Sequence, residues 1–156
     1  MDSLTDYQSA DRQVLAGTPE GQDARVLVDR AAQTSGLICH VALDDARLAR
    51  LSEFVRFFAP SLRIAELPAW DCLPYDRVSP HADIVSQRLD TLTTLAQHAD
   101  DGGGGPIILL TTVNALGQRV PPRTLFRDAA MECAVGQTLD QDALKRFFTA
   151  NGYMRA

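Results

Sequence analysis

Gly105-Pro106-Ile107-Ile108-Leu109-Leu110-Thr111 is the stretch on which the fold turns. A glycine and a proline interrupt the chain, and an apolar run without polar alternation follows. The run is too short for a buried helix, so it predicts a strand over 107–111 covered on both faces, as in a parallel sheet. Immediately upstream, Asp100 to Gly105 reads as a flexible link. Before it, Ser79-Pro80 starts a helix carrying Val85, Leu89, Leu92 and Ala96 on one stripe. Leu62 to Leu67 reads as another strand. Asp44 caps a helix with Leu48, Leu51, Val55 and Phe58 on its apolar side, ended by Pro60. Leu37 to Ala42 reads as a further strand buried on both faces. Thr18-Pro19-Glu20 supplies a cap, a proline at the first helical position and an acid, and Ala24, Leu27, Val28 and Ala31 follow at helical spacing up to Ser35-Gly36. Strands alternating with helices of this length require right-handed crossovers, hence an α/β fold with a mostly parallel sheet flanked by helices.

The rest of the chain reads differently. Residues 1–16 are polar and aperiodic, and are expected to form a loosely ordered leader. Residues 17–122 hold the α/β unit. After Pro121-Pro122 a strand over Ala129 to Val135, a turn at Gly136 and a helix capped by Asp140 are expected, the helix ending at Asn151-Gly152. With no further strand after them, residues 123–156 read as the incomplete start of a second, α+β unit. Leu144, Phe147 and Phe148 would then lie exposed or packed on a neighbour, favouring self-association.

The 156 residues are 46% hydrophobic and 22% charged, the mix of a folded globular domain. Cys39, Cys72 and Cys133 are odd in number, widely spaced and never in a C-x-x-C pair, so neither a disulfide framework nor a zinc knuckle is signalled. The acidic start, Met1-Asp2-Ser3-Leu4-Thr5-Asp6, has no apolar stretch behind it, and Ile107 to Leu110 is far too short to span a bilayer, so a cytoplasmic protein without a membrane partner is expected. A net charge of −5 argues against a broad basic face for nucleic acid.

Ligands of α/β sheets bind beyond the carboxyl ends of the strands. The turn into the first helix, Gly17-Thr18-Pro19-Glu20-Gly21-Gln22-Asp23-Ala24, lies where a phosphate-cradling G-x-x-x-x-G-K-[ST] loop would lie. Gly17 matches, but Gln22, Asp23 and Ala24 replace the glycine, lysine and hydroxyl residue. A carboxylate in place of the lysine repels a phosphate, and alanine offers Mg²⁺ no oxygen. No nucleotide, and no other cofactor, is therefore expected. Gly102 to Gly105 precedes a strand and lacks a following lysine, which makes it a solvated linker. His40, His81 and His98 show no i, i+4 pairing, so no metal site is read from them, and His98 near a helix end complements the dipole. No G-x-S-x-G elbow occurs. Cys39 in an apolar strand reads as an inert core thiol. No catalytic residue emerges.

One loop is unusual. Glu66-Leu67-Pro68-Ala69-Trp70-Asp71-Cys72-Leu73-Pro74-Tyr75-Asp76 carries the only tryptophan and runs through Ser79-Pro80-His81 into a helix containing Arg88. Prolines stiffen such a loop and amphipathic aromatics anchor it, which suits a docking surface. Trp70, Tyr75, His81, Arg88 and Arg119 are the candidates. The alternative is that Trp70 and Tyr75 only close one end of the core.

This stretch resembles the pattern L-P-x-W-(D/E)-x-L-P-Y-D-x-x-S-P-H-x-D-I-x-S-x-R-L-x-x-L of the bacterial transcription-repair coupling factor (Mfd) family. It stands here as Leu67-Pro68, Trp70-Asp71, Leu73-Pro74-Tyr75-Asp76, Ser79-Pro80-His81, Asp83-Ile84, Ser86, Arg88-Leu89 and Leu92. A second family segment resembles Thr112-Val113-Asn114-Ala115-Leu116-Gly117-Gln118-Arg119-Val120-Pro121. The resemblance implies the N-terminal, UvrB-like module of an ATP-driven DNA translocase that displaces stalled RNA polymerase and recruits the excision-repair protein UvrA. It also implies a RecA-like domain with a decayed nucleotide loop. Motor, polymerase-binding domain and UvrA-gripping surface would lie beyond the point corresponding to Ala156, so UvrA is expected as a partner only with the following domain, and polymerase and DNA only through other parts. No family functional residue carries over. The expected role is a non-catalytic scaffold that also docks other domains of its parent. The alternatives are a nucleotide-binding helicase-like domain, or a DNA-binding module using Arg119, Arg123 and Arg127.

Overall fold

The computed structural model describes residues 14–72, 77–100, 104–128, 131 and 133–150. Helix α1 (Gln22–Ala31) leads into strand β1 (Leu37–Ala42), and helix α2 (Asp45–Phe58) connects it to β2 (Arg63–Leu67). The long helix α3 (Ala82–Asp100) leads to β3 (Ile107–Thr112). Short helices α4 (Val113–Leu116) and α5 (Arg123–Asp128) and a final helix α6 (Gln141–Ala150) follow.

The strands form one parallel sheet in the order β1-β3-β2, with Ile107 in register with Leu37 on one side and Arg63 on the other. The crossover from β1 to β2 passes over the place β3 will take, and the one from β2 to β3 turns back. Two right-handed crossovers running in opposite directions must put their helices on opposite faces. The side chains of β3 show this division. Ile108 and Leu110 pack with Ala24, Leu27 and Ala31 of α1 and Leu48, Leu51 and Val55 of α2. Ile107 and Leu109 point the other way, joining Ala65 and Leu67 of β2 under Leu92 and Leu95 of α3. Every residue of β3 is buried, as the unbroken apolar run predicts.

The α/β architecture read from sequence is the one observed, with four local differences. Helix α1 begins at Gln22, because Pro19-Glu20-Gly21-Gln22 forms a turn closed by Gln22 N–H donating to Pro19 O at 3.2 Å. Strand β1 is not covered on both faces: Leu37 and Val41 are 48% and 39% exposed, and Cys39 is exposed beside them. β1 lies at the sheet edge, and α3 covers the pair β2 and β3 on that side. On α3 the buried positions are Arg88, Thr91, Ala96 and His98, whereas Leu89 faces outward. Met131 and Cys133 to Val135 are not in a strand, and Ala129, Ala130 and Glu132 lie outside the described residues. Asp44 caps α2 as expected, its Oδ1 accepting from Arg47 N–H at 2.8 Å. Asp140 likewise accepts from Asp142 and Ala143 N–H at the start of α6. Helix α5 packs on α3, where Arg123 donates to Ala96 O and Phe126 is buried.

Candidate docking site at the carboxyl end of the sheet

Two regions near the carboxyl ends of the strands carry the residues singled out from sequence. The first is the turn into α1. With Arg47, Arg50 and Phe54 of α2, it lines an open pocket of about 390 Å³. Gly17 and Gly21 adopt left-handed conformations, with φ of 67° and 84°. No side chain caps the helix. Asp23 instead turns its carboxylate onto Ala24 N–H at 2.9 Å, so an anion already sits at the helix N-terminus, where a phosphate would need to bind. Arg50 is engaged by Glu20 at 3.2 Å.

His40 on β1 feels the same carboxylate. Burial holds its pKa below the ordinary 6.5, and Asp23 partly offsets that effect. The unfolded chain therefore takes up this proton first, so the contribution of His40 to stability is lost as pH falls from about 6.5 toward the folded value. In an NMR titration of the imidazole, the midpoint is expected below 6.5 and lower still in Asp23→Asn. A rise in the Asp23→Asn midpoint would contradict this electrostatic coupling.

The second region is the loop leaving β2. Strand β2 ends with consecutive carbonyls turned toward side chains. Glu66 O accepts from Thr91 Oγ1 of α3, Leu67 O from Thr111 Oγ1 of β3 at 3.0 Å, and Pro68 O from Arg88 Nη1 of α3. Carbonyls at the end of a strand need donors, and these side chains supply them. The i, i+3 spacing of Arg88 and Thr91 places both donors on the inner face of α3. Arg88 is 1% exposed, with its guanidinium carbon 4.3 Å from the centroid of the Trp70 ring. Its Nη1 also reaches Gln118 Oε1 at 3.3 Å, and the same oxygen accepts from Trp70 N–H at 2.9 Å. Among the described residues Nε has no partner and no carboxylate pairs with the cation. Desolvation pulls its pKa down, although a guanidinium keeps its charge.

The expected docking residues thus separate. Trp70 is half-buried, and Arg119 is exposed beside it on an open groove of about 1000 Å³ that Asp45, Asp71, Cys72 and Asn114 also line. His81 is exposed; its backbone N–H donates to the Asp71 carboxylate, and its Nδ1 lies 3.5 Å from Asp83 Oδ2. Arg88 is a correction: buried beneath the indole, it supports this surface and is not part of it. Tyr75 lies outside the described residues. Gln118 was missed as a site residue. Its place beside Arg119 in the quoted 112–121 segment was the available signal, but nothing local shows that its amide faces inward. Of the three arginines named for DNA, Arg119 is exposed and Arg123 is turned onto α3, while the side chain of Arg127 lies outside the described residues. Cys39, expected in the core, is on the uncovered face of β1, and desolvation raises its thiol pKa. Among the described residues no cluster could hold a metal ion, and no helix is long and apolar enough to cross a membrane.

No protein-family model matches the chain. It is 33% identical over 145 residues to the transcription-repair-coupling factor of Escherichia coli (strain K12), covering 92% of this chain and 12% of that protein. It is 35% identical to the factor of the same name from Myxococcus xanthus, over 100% of this chain and 13% of the relative. A third relative of that name, from Haemophilus influenzae, is 30% identical over 94% of this chain and 12% of its own length. The chain thus spans about an eighth of the length of the curated relatives it matches. The likeness takes in nearly the whole of this chain, which is a homologue of the transcription-repair coupling factors over a fragment of their length.

Proposed function

We propose that this chain is a non-catalytic scaffold: the RecA-like first domain of the N-terminal, UvrB-like module of a coupling factor. In this reading it positions the following UvrA-recognition domain and docks other domains of its parent across the Trp70 groove. The observation that carries the reading is Asp23. Its carboxylate occupies the helix terminus that a triphosphate needs, next to Ala24 where Mg²⁺ would need an oxygen ligand. ATP-driven translocation, polymerase displacement and DNA contact then belong to other parts of the parent, and UvrA is held through the domain that follows α5. The −5 net charge accords with a piece that does not itself grip DNA.

Two measurements test this. UvrA is expected to co-elute with a form extended by about 60 residues, the scale of a small further domain, and not with this chain. Equal retention of UvrA by both forms would overturn the assignment. A fluorescent ATP analogue is expected to show no saturable binding at micromolar levels; saturation would restore the helicase-like alternative.

A further inference from the structure

We infer that Arg88 is a positioning residue: clamped on Pro68 O and Gln118 Oε1 beneath the Trp70 indole, it locks the loop leaving β2 to the turn after α4, so that the rim of the groove is shaped before any partner arrives.

The reasoning begins with a cost. Among the described residues no carboxylate neutralises this cation, which is buried at 1% exposure, and such a group is unfavourable unless its donors are used well. Arg88 has a specific use for them. Nη1 bridges two segments distant in sequence, Pro68 at the end of β2 and Gln118 beyond α4. The Gln118 oxygen closes the arrangement by accepting from Trp70 N–H, so the loop backbone and the guanidinium share one acceptor on the turn. The guanidinium carbon lies over the indole, 4.3 Å from the ring centroid, and a lysine ammonium does not supply the same broad, weakly hydrated cation there. Ala69, Trp70 and Asp71 on one side of the groove, and Gly117, Gln118 and Arg119 on the other, are joined directly by the Trp70 N–H bond to Gln118 Oε1 and a second time through Arg88. An apolar residue at position 88 could fill the space under Trp70 but would leave the Trp70–Gln118 bond without the second link through Pro68 O. The inference goes beyond the scaffold role and does not depend on which partner meets the groove.

Trp70 is the only tryptophan, so fluorescence of the 156-residue chain reports directly on this loop. Three variants separate the lock from ordinary packing. Gln118→Leu removes the shared acceptor at a half-buried turn without touching the core. Gln118→Glu keeps an acceptor and adds a charge-assisted bond to the guanidinium. Arg88→Lys keeps the charge but loses the fork. Acrylamide quenching of Trp70 is expected to rise about twofold or more in Gln118→Leu and Arg88→Lys, and to stay at the parent level in Gln118→Glu. Quenching unchanged in a cooperatively folding Gln118→Leu would overturn the proposal, as would a Gln118→Glu variant as open as Gln118→Leu. Should Arg88→Lys fail to fold, the two Gln118 variants decide the question by themselves.

Discussion

Ile108→Ala is expected to lower the unfolding free energy by about 3 kcal/mol, within the range found for deleting a large buried aliphatic side chain. Ile108 lies on the central strand and is 0% exposed, with α1 and α2 packed over it. Strands on both sides hold the backbone, so the wall cannot collapse into the space left behind. Both the transfer term and the cavity term are therefore felt. Leu37→Ala provides the comparison. Leu37 stands in register with Ile107, but on the edge strand and about half exposed, so the same chemistry there should cost under about 1 kcal/mol. Urea midpoints read at equal slope check both values. Equal losses at the two positions would mean that the second face of β1 is covered in solution.

Gly21→Val is expected to cost about 2 kcal/mol or more, measured by the same unfolding curves. Gly21 precedes the first turn of α1 with φ of 84°, a conformation that costs roughly 1–2 kcal/mol for a residue with a Cβ and more for a branched one. A Cβ there would also touch the Phe54 ring at 3.4 Å, so a larger side chain adds contact with that ring to the backbone strain. Gly17→Ala should cost less, because a Cβ at Gly17 meets nothing within 4 Å and only the strain of its φ of 67° remains. A Gly21→Val variant within about 0.5 kcal/mol of the parent would contradict the close approach of α1 and α2 at this corner. The contrast bears on function. Gly17 is the residue that matches a nucleotide loop, yet Gly21 is the glycine required by the packing. The turn therefore reads as a structural corner.

Much of the fold was legible because its signals are local. An apolar run without alternation marks β3, and Asp44 three residues before the Arg47 amide marks the start of α2. The start of α1 was displaced because Pro19 satisfies the rule for a first helical position while Gly21 breaks the helical path just beyond it. On α3 an apolar stripe through Leu89 was the natural reading. The observed inner face carries Arg88 and Thr91, which donate to the carbonyls ending β2, beside Leu92 and Leu95, which pack on the sheet.

The candidate site was legible as a segment and not as an arrangement. Trp70, His81 and Arg119 could be named because aromatic, titratable and charged residues stand out in a proline-punctuated loop. By itself the sequence determined the kind and order of the elements from α1 to β3, the parallel sheet and the anion at the turn into α1, since each follows from spacing or from the charge of one residue. Only the tertiary structure decided that β1 has a bare face and that Arg88 lies inside. The first depends on which strand pair each crossover helix covers. The second depends on acceptors 20 and 30 residues away in the chain, which the folded sheet brings within reach of one guanidinium.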